Sequence, residues 1–472
     1  MSYNLIECNR EQMYLMPVSL EDWLPEGHLA WFILDAVEAI DLSKFYLKYR
    51  ADGWGRAAYE PQMMVSLLLY AYCLGVRSSR QIERACEVDI VFRVITANQK
   101  PDYSTICRFR SQNEEELGML FTQVLRLCAE AGLVRVGLVA VDGTKVKANA
   151  SLSANRTQEH IEAEVRKMLA EARERDEEED RLFGKDSRGD EIPEELKDRR
   201  SRLARLKECQ EQLAREKEEK VQCQAEKIQK RQAEEKTMGH KKRGRKPKEL
   251  TKVMQEEAKA KANVTDPDSR IMKTRVGYIQ GYNAQAVVER GQIIIAADVT
   301  QEENDVHQLH PMTEKAQQEL KAVGVDEGIR RELADAGYWS EDNIVNSSLT
   351  APEFLIATTK DWKQRKAMRE RGTPQGRIPK QLSIRDRMER KLLTKGGSTL
   401  YKLRSQMVEP VFGQIKAVRD CGTFMRRGLK PAQSEWRLIC ATHNLLKLFR
   451  NSHAISSPPH GLYTSILPAG AG

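Results

Sequence analysis

The hydrophobic pattern divides the chain into stretches of different character. Residues 1–132 carry apolar side chains at helical spacing, including a buried-type run over 63–74 that Pro61 can begin and Gly75 can end. Residues 134–148 change to the β-branched, partly alternating pattern of strands. Acidic and basic residues then alternate over 156–262, and strand-like runs return over 277–300. The pattern predicts an all-helical N-terminal region and a mixed region interrupted by a charged insertion.

The second half of the chain continues the mixed pattern. Short strands are predicted at 281–288, 293–297 and 354–357, with a helix from about 305 to 323 between them. The very basic residues 360–395 are predicted to form a loop, and residues 400–450 are predicted to be helical. Without the insertion, these elements predict an α/β fold, in which helices pack against a mixed sheet of about five strands.

The charged insertion carries two thin apolar stripes at mostly heptad-like spacing. The residues of these stripes are Ile161, Val165, Met168, Leu169 and Ala172, then Leu196, Leu203, Leu206, Leu213, Val221 and Ile228. A turn-rich segment at 183–190 separates them, and Pro193 can begin the second helix. The pattern predicts two long antiparallel helices forming a projecting coiled-coil hairpin. Partial disorder of this stretch is the alternative.

A basic segment at 240–248 follows the insertion. Its centre, Arg243-Gly244-Arg245, resembles an AT-hook, whose arginines lie in the narrow minor groove of A·T-rich DNA. The alternative is a basic linker without fixed structure. Either form adds salt-dependent affinity for nucleic acid.

A break at 100–105 and the short helix after it suggest a helix-turn-helix reader in the N-terminal region. Ile106 and Phe109 are predicted to face inward, while Arg108 and Arg110 are predicted to face outward, where they can contact DNA. The alternative is an ordinary surface helix with solvated charges.

Composition narrows the class of partner and compartment. The 472 residues carry 77 basic and 69 acidic side chains, a formal net charge of +8, so anionic partners are plausible. The nine cysteines are irregularly spaced without a Cys-x-x-Cys pair, which favours free thiols in a reducing compartment. No secretory signal is recognised, and the longest apolar run is shorter than the roughly 20 residues that span a bilayer. A cytoplasmic protein without a membrane partner is expected.

Three acidic residues form the candidate catalytic set. Asp142 and Asp335 are predicted to stand at the ends of strands, and Glu409 lies on a basic helix. Carboxylate oxygens are the ligands that Mg²⁺ prefers, and two divalent ions can clamp both oxygens of a phosphoryl displacement. The alternative for each aspartate is that it merely begins a turn. For Asp142 and Gly143, both a hairpin and a continuous strand are compatible with the sequence.

These motifs together resemble the bacterial insertion-sequence DDE transposases, most closely the branch numbered eleven-eighty-two among insertion sequences. The resemblance covers 59–75, 101–110, 141–150, 266–270, 281–285, 334–338 and the C-terminal helix. It implies a ribonuclease-H-like core in which Asp142, Asp335 and Glu409 are the catalytic, metal-binding acids. It also carries over a C-terminal signature to Tyr401, Arg404, Glu409 and Lys416.

The signature departs from its usual spacing at one point. Four residues separate Arg404 from Glu409 instead of three, which sets the two side chains about 140° apart around a helix. The role of Arg404 is therefore open. Tyr401, Arg404 and Lys416 are expected to bind DNA near the acids, with the two basic side chains on its phosphates.

The resemblance implies five regions. They are a helical, helix-turn-helix-like DNA-binding domain (1–132), the first part of the catalytic core (133–155), the coiled-coil insertion with its basic segment (156–262), the remainder of the core (263–452) and a flexible tail (453–472). The implied function is cleavage at the ends of a mobile element and strand transfer into target DNA, with two Mg²⁺ ions for which Mn²⁺ can substitute. The partners are then double-stranded DNA, as terminal inverted repeats and target, and a second copy of the chain. The location is bacterial, cytoplasmic and nucleoid-associated. A catalytically decayed DNA-binding repressor and a coiled-coil adaptor are the alternatives.

Overall fold

The structure is a computed structural model that describes residues 19–49, 57–168, 170, 194–241, 246–257, 260–345, 352–370, 372–377, 379 and 381–455. Its described N-terminal part is helical, as predicted. The helices there are α1 (Leu29–Glu38), α2 (Ser43–Tyr46), α3 (Pro61–Cys73), α4 (Ser79–Val88), α5 (Ile90–Ile95), α6 (Tyr103–Gln112) and α7 (Glu114–Glu130).

The strands form one large sheet and one small ribbon. They are β1 (Leu138–Lys147), β2 (Asn155–Thr157), β3 (Lys261–Asn263), β4 (Arg270–Lys273), β5 (Tyr278–Glu289), β6 (Ile294–Thr300), β7 (Arg331–Ala334) and β8 (Glu353–Ile356). β2 and β3 pair antiparallel at the base of the insertion, and the other six strands form the large sheet. The predicted mixed sheet is confirmed, with β4 as an additional strand that the sequence pattern did not reveal.

β1 lies inside the large sheet. One edge of β1 pairs antiparallel with β5, and the other pairs parallel with β7, which in turn pairs parallel with β8. The far edge of β5 is shared, because β6 pairs with residues 283–288 and β4 with residues 278–281. Antiparallel pairing with β5, which continues from Val139 to Lys147, holds β1 extended through Asp142 and Gly143, so the hairpin alternative is wrong and the continuous strand is confirmed.

The insertion is described in part. The described helices are α8 (residues 158–168), α9 (Glu194–Met238) and α10 (Leu250–Glu257), and α9 runs for 45 residues. α8 and α9 meet in a small apolar cluster, formed by Ile161, Val165, Leu206, Cys209, Leu213 and Ala262. The predicted turn at 183–190 lies outside the described residues, and the coiled-coil hairpin stays a prediction.

Residues 360–395 correct the sequence interpretation. The predicted basic loop contains two helices, α13 (Trp362–Glu370) and α14 (Ile384–Leu393), beyond the short helix α12 (Glu341–Val345). Arginine and lysine are good helix formers, and the Ser383 side chain caps α14 by accepting the Asp386 N–H at 3.1 Å. High positive charge was therefore a poor indicator of loop structure.

The C-terminal helices connect the sheet to the N-terminal helices. α11 (Leu309–Ala322) packs on β5 and β6, and α15 (Lys395–Gly413) continues through a π-helical turn (Gln414–Val418). α16 (Leu429–Ile455) packs against α7, α3 and β6, and the buried apolar residues of these elements belong to one core cluster. The predicted domain boundaries stay a prediction, since the helices and the sheet share this core.

None of the helices among the described residues combines the length and apolar character needed to cross a bilayer. The eight cysteines among these residues are all free, and six of them are buried.

Candidate active site

Asp142 lies in the middle of β1, not at its end as predicted, since the strand extends to Lys147. Its side chain is 21% exposed. One carboxylate oxygen, Oδ1, accepts the Gly143 N–H at 2.9 Å, and Oδ2 accepts from Arg404 Nη1 at 2.9 Å. Asp142 is therefore held in a defined orientation by its own strand and by α15.

Asp335 follows β7 directly. β7 runs parallel to β1 with Ala140 opposite Leu333, so the same register two residues further places Asp142 level with Asp335. Because side chains alternate along a strand, a step of two residues keeps both on one face. Asp335 Oδ1 accepts the Gly337 N–H at 2.6 Å, which fixes its carboxylate at the start of the turn.

Asp335 lies close enough to Asp142 to affect its ionisation. The pKa of Asp142 is raised to about 6, mainly by burial; Arg404 opposes this rise, and the negative charge of Asp335 adds to it. Desolvation and a neighbouring like charge both disfavour an ionised carboxyl group. The ionised form of Asp142 is therefore disfavoured by its surroundings, although Arg404 is bound to it and the Lys360 ammonium lies near the Gly337 turn that holds Asp335.

Glu409 is not joined to this pair. It lies on α15 with an exposed side chain, and it makes no hydrogen bond or ion pair with either aspartate among the described residues. Within the part of the chain that is described, no three His, Cys, Asp or Glu side chains lie close enough together to hold one metal ion. Arg404 reaches the sheet from the same helix, and its roughly 140° offset directs Glu409 elsewhere. The place of Glu409 in the site stays a prediction.

The other residues of the C-terminal signature lie against the sheet. Tyr401 Oη donates to the carbonyl of Ala334, the residue before Asp335, at 3.3 Å. Lys416, in the π-helical turn, donates to Thr144 Oγ1 at 3.0 Å and to the Lys145 carbonyl at 2.9 Å. Insertions of this kind in helices are frequent at functional sites. Tyr401 therefore lies next to the residue that precedes Asp335, and Lys416 lies next to the part of β1 that follows Asp142.

The sequence interpretation missed a third acid at this site. Asp305 precedes a short 3-10 turn, and its Oδ1 accepts from Asn283 Nδ2 at 2.7 Å and from Gln285 Nε2 at 2.8 Å. Lys145 Nζ lies 3.8 Å from the same oxygen. Nothing in the polar stretch around Asp305 singles it out. The signal that existed was the alternation of two amides with apolar residues along the buried strand β5.

The arginines of α6 differ from their prediction in one case. Ile106 and Phe109 are buried and Arg108 is exposed, as predicted. Arg110 is only 5% exposed and donates to the Arg77 carbonyl at 2.9 Å and to Tyr72 Oη at 2.5 Å. The prediction that Arg110 faces outward to DNA is wrong, because its guanidinium joins α6 to the core. Arg243 and Arg245 lie outside the described residues.

Comparison with known protein families produced two matches. Residues 18–112 match the Transposase domain (DUF772), and residues 359–449 match the Transposase DDE domain. The first match includes α6, and the second includes Arg404, Glu409 and Lys416. No curated protein and no solved structure matched the chain. The two family matches support an insertion-sequence DDE transposase, an enzyme that acts on DNA.

Proposed function

We propose that the chain catalyses divalent-metal-dependent cleavage at the ends of a mobile DNA element and transfer of the freed strand into target DNA. The observation that carries this proposal is the alignment of Asp142 on β1 with Asp335 after β7, beside a helix that matches a transposase DDE domain. We also propose membership of the branch numbered eleven-eighty-two, which rests on the motifs of the sequence alone.

The sheet supports a ribonuclease-H-like core. Three antiparallel strands, β6, β5 and β1, are extended by the parallel strands β7 and β8. In this arrangement Asp142 lies in β1 and Asp335 directly follows the adjacent parallel strand β7, and the fixed strand directions hold the carboxylates near each other. The long insertion between β1 and β5 is accommodated outside the large sheet, where β2 and β3 close its base.

The donor set fits a hard divalent cation such as Mg²⁺, with Mn²⁺ as a substitute. Mg²⁺ is usually held by one or two protein carboxylates together with waters and substrate phosphates. Asp142 and Asp335 would supply these carboxylates, and a bound cation would stabilise the ionised form of Asp142, whose pKa is raised mainly by burial. We propose Glu409 as the third acid and two ions in the working site, by resemblance to the family. When bound, the metal lowers the pKa of water and polarises the phosphate.

The residues around the acids position the DNA. Lys416 is fixed at β1 by Thr144 and by a backbone carbonyl, so its ammonium is available as a defined cation for a phosphate oxygen. Arg404 balances the Asp142 charge, and the Tyr401 hydroxyl ties α15 to the end of β7. A water attacks the phosphodiester and a 3′-hydroxyl leaves; that hydroxyl then attacks a target phosphodiester and releases a target 3′-hydroxyl.

DNA recognition is assigned to several basic surfaces. We propose that Arg108, which is exposed on α6, contacts the terminal repeats, and that the basic segment at 240–248 and the charged insertion add salt-dependent affinity. Arg243 and Arg245 stay proposed minor-groove contacts. Because two element ends must be joined, a homodimer on DNA is expected, and the coiled-coil hairpin is a candidate for pairing the copies.

A plasmid assay tests the proposal. Supercoiled DNA carrying the element ends is incubated with the protein and Mg²⁺, and nicked or linear products with defined ends are expected. Asp142→Asn and Glu409→Gln should each lower cleavage by at least about 100-fold while DNA binding persists, because the acids act on the reacting phosphate. Asp326→Asn, the same charge change at an exposed loop position, is the matched control. Binding without cleavage by the wild-type protein in Mg²⁺ and in Mn²⁺ would instead indicate a decayed, DNA-binding repressor.

A further inference from the structure

Two fully buried amides hold a single carboxylate beside the candidate active site. Asn283 and Gln285 lie on β5, and Gln285 is paired in register with Gly143 of β1. Their side-chain nitrogens both donate to Asp305 Oδ1, at 2.7 and 2.8 Å. Burying polar side chains is costly unless they are hydrogen-bonded. Two interior side chains of β5 therefore hold the Asp305 carboxylate in place.

One atom of this network has no partner. Asn283 Oδ1 is buried and accepts no hydrogen bond among the described residues. The orientation of the amide is defined, because Nδ2 donates to two acceptors, Asp305 Oδ1 and the Glu302 carbonyl at 3.2 Å. Turning the amide over would set its oxygen against both of them. An unsatisfied buried acceptor costs about 1–3 kcal/mol, so a donor from outside the described residues, such as a water, would stabilise this oxygen.

The unpartnered oxygen lies close to the backbone at Gly143. A Cβ atom at Gly143 would lie 3.0 Å from Asn283 Oδ1, 2.8 Å from Asp305 Oδ1, and in collision with the Gln285 amide. Gly143 directly follows Asp142. Both oxygens therefore lie next to the first catalytic aspartate, at a position where only a glycine leaves room for them.

Asp305 also faces the second aspartate. A Cβ atom at Gly337 would lie 3.2 Å from Asp305 Oδ2 and 2.7 Å from Asp335 Oδ1. Asp305 thus has one oxygen on the Gly143 side and the other on the Gly337 side. It is the residue that bridges the surroundings of Asp142 and Asp335.

We propose that Asp305 and Asn283 form a hydration cradle, which binds waters of the cation that Asp142 and Asp335 hold. This inference rests on the proposed function. Water supplies the hydrogen that Asn283 Oδ1 lacks and a second hydrogen for Asp305. Mg²⁺ retains several of its waters in protein sites. An outer role agrees with the described residues, where no three acidic, His or Cys side chains are close enough to ligate one ion directly.

Lys145 does not fill the cradle. Its ammonium donates to the Glu303 carbonyl at 2.5 Å and lies 3.8 Å from Asp305 Oδ1, where it offsets part of the negative charge. Asp305 is accordingly a positioning residue, which acts through ordered water and not by direct contact with the reacting phosphate.

Binding of Mn²⁺ to the full-length protein without DNA tests the cradle. Free Mn²⁺ is measured by electron paramagnetic resonance for the wild type, Asp305→Asn, Asp142→Asn and the exposed control Asp326→Asn. Asparagine at 305 keeps an oxygen for both amides and removes only the charge. We expect Asp305→Asn to weaken Mn²⁺ binding by about 10- to 100-fold, as loss of an outer-shell partner does, and Asp326→Asn to bind like the wild type. Asp305→Glu restores the charge one methylene further out and should bind with intermediate affinity.

The outcomes separate this inference from the proposed function. If Asp142→Asn loses Mn²⁺ and Asp305→Asn binds like the wild type, the cradle is wrong and the catalytic site stands. If neither substitution changes Mn²⁺ binding, the cation site itself is wrong. If Asp305→Asn lowers only the urea midpoint and leaves the Mn²⁺ affinity of the folded protein unchanged, Asp305 is purely structural and the inference is overturned.

Discussion

The pH dependence of the free energy of unfolding should reveal that ionised Asp142 is unfavourable in the folded protein. Burial, together with the charge of Asp335, raises the pKa of this carboxyl group from 3.8 to about 6 in the folded protein, despite Arg404. The folded state therefore binds more protons than the unfolded chain between these two pH values, so stability falls as pH rises through this range. A rise of about 2 in pKa corresponds to on the order of 3 kcal/mol, fully expressed above about pH 7.

Asp142→Asn removes this titration and keeps the shape of the side chain. The free energy of unfolding is measured with urea, in buffers containing a chelator, at about pH 4 and about pH 7.5. Tryptophan fluorescence is a suitable probe, because Trp436 is fully buried and its indole donates to the Gln285 carbonyl on β5 at 2.9 Å. Relative to the wild type, the variant should gain about 2–3 kcal/mol between the two pH values.

The comparison between pH values isolates the charge. The interaction of Arg404 with ionised Asp142 is already included in the pKa of about 6, so it adds no separate difference between the two pH values. Asp326→Asn should show no such gain. Added Mg²⁺ should stabilise the wild type at pH 7.5 and not the variant, since a ligand of the folded state raises stability by mass action. Parallel pH profiles for the wild type and Asp142→Asn would refute the reasoning.

Three further predictions concern other parts of the molecule. Arg110→Ala should lower the free energy of unfolding by about 2–4 kcal/mol, because it removes buried charged hydrogen bonds. Arg108→Ala should change the free energy of unfolding by less than about 0.5 kcal/mol and should weaken DNA binding. Equal urea midpoints for the two variants would contradict the burial of Arg110. Lys416→Ala should reduce the slope of log affinity for DNA against log salt by about 1, measured by filter binding, and an unchanged slope would exclude a phosphate contact. Glu332 is fully buried, and burial raises its pKa to about 8. The wild type should therefore lose thermal stability as pH rises from about 4.5 through about 8, and Glu332→Gln should not. Similar melting profiles of the wild type at pH 6 and pH 9 would contradict this prediction.

The elements of the sheet were predictable because strands have a short, local signal. The β-branched runs that became β1, β5 and β6 are readable from hydrophobic period alone. The position of Asp142 within β1 was not, because Asp-Gly favours a turn locally and only pairing with β5 extends the strand through it. The helices α13 and α14 were not predicted, because the high positive charge of residues 360–395 was interpreted as a sign of loop structure.

Site residues were predictable only where sequence position determined their neighbours. Asp142 and Asp335 could be paired because they follow comparable strand patterns. Asp305 could not, since its role depends on amides that β5 brings from 20 or more residues away. Arg110 faces inward because Tyr72 of α3 and the Arg77 carbonyl meet it, which no periodicity of α6 reveals.

The charges around Asp142 indicate which effect controls the site. Arg404 donates to Asp142 at 2.9 Å with both side chains mostly buried, a geometry that normally lowers a carboxyl pKa. The pKa is nevertheless raised, so desolvation together with the charge of Asp335 outweighs the ion pair. Asp305 adds a third carboxylate nearby, and Lys145 at 3.8 Å offsets part of its charge. Burial is thus the main influence on the ionisation of Asp142, and the Arg404 ion pair is the second.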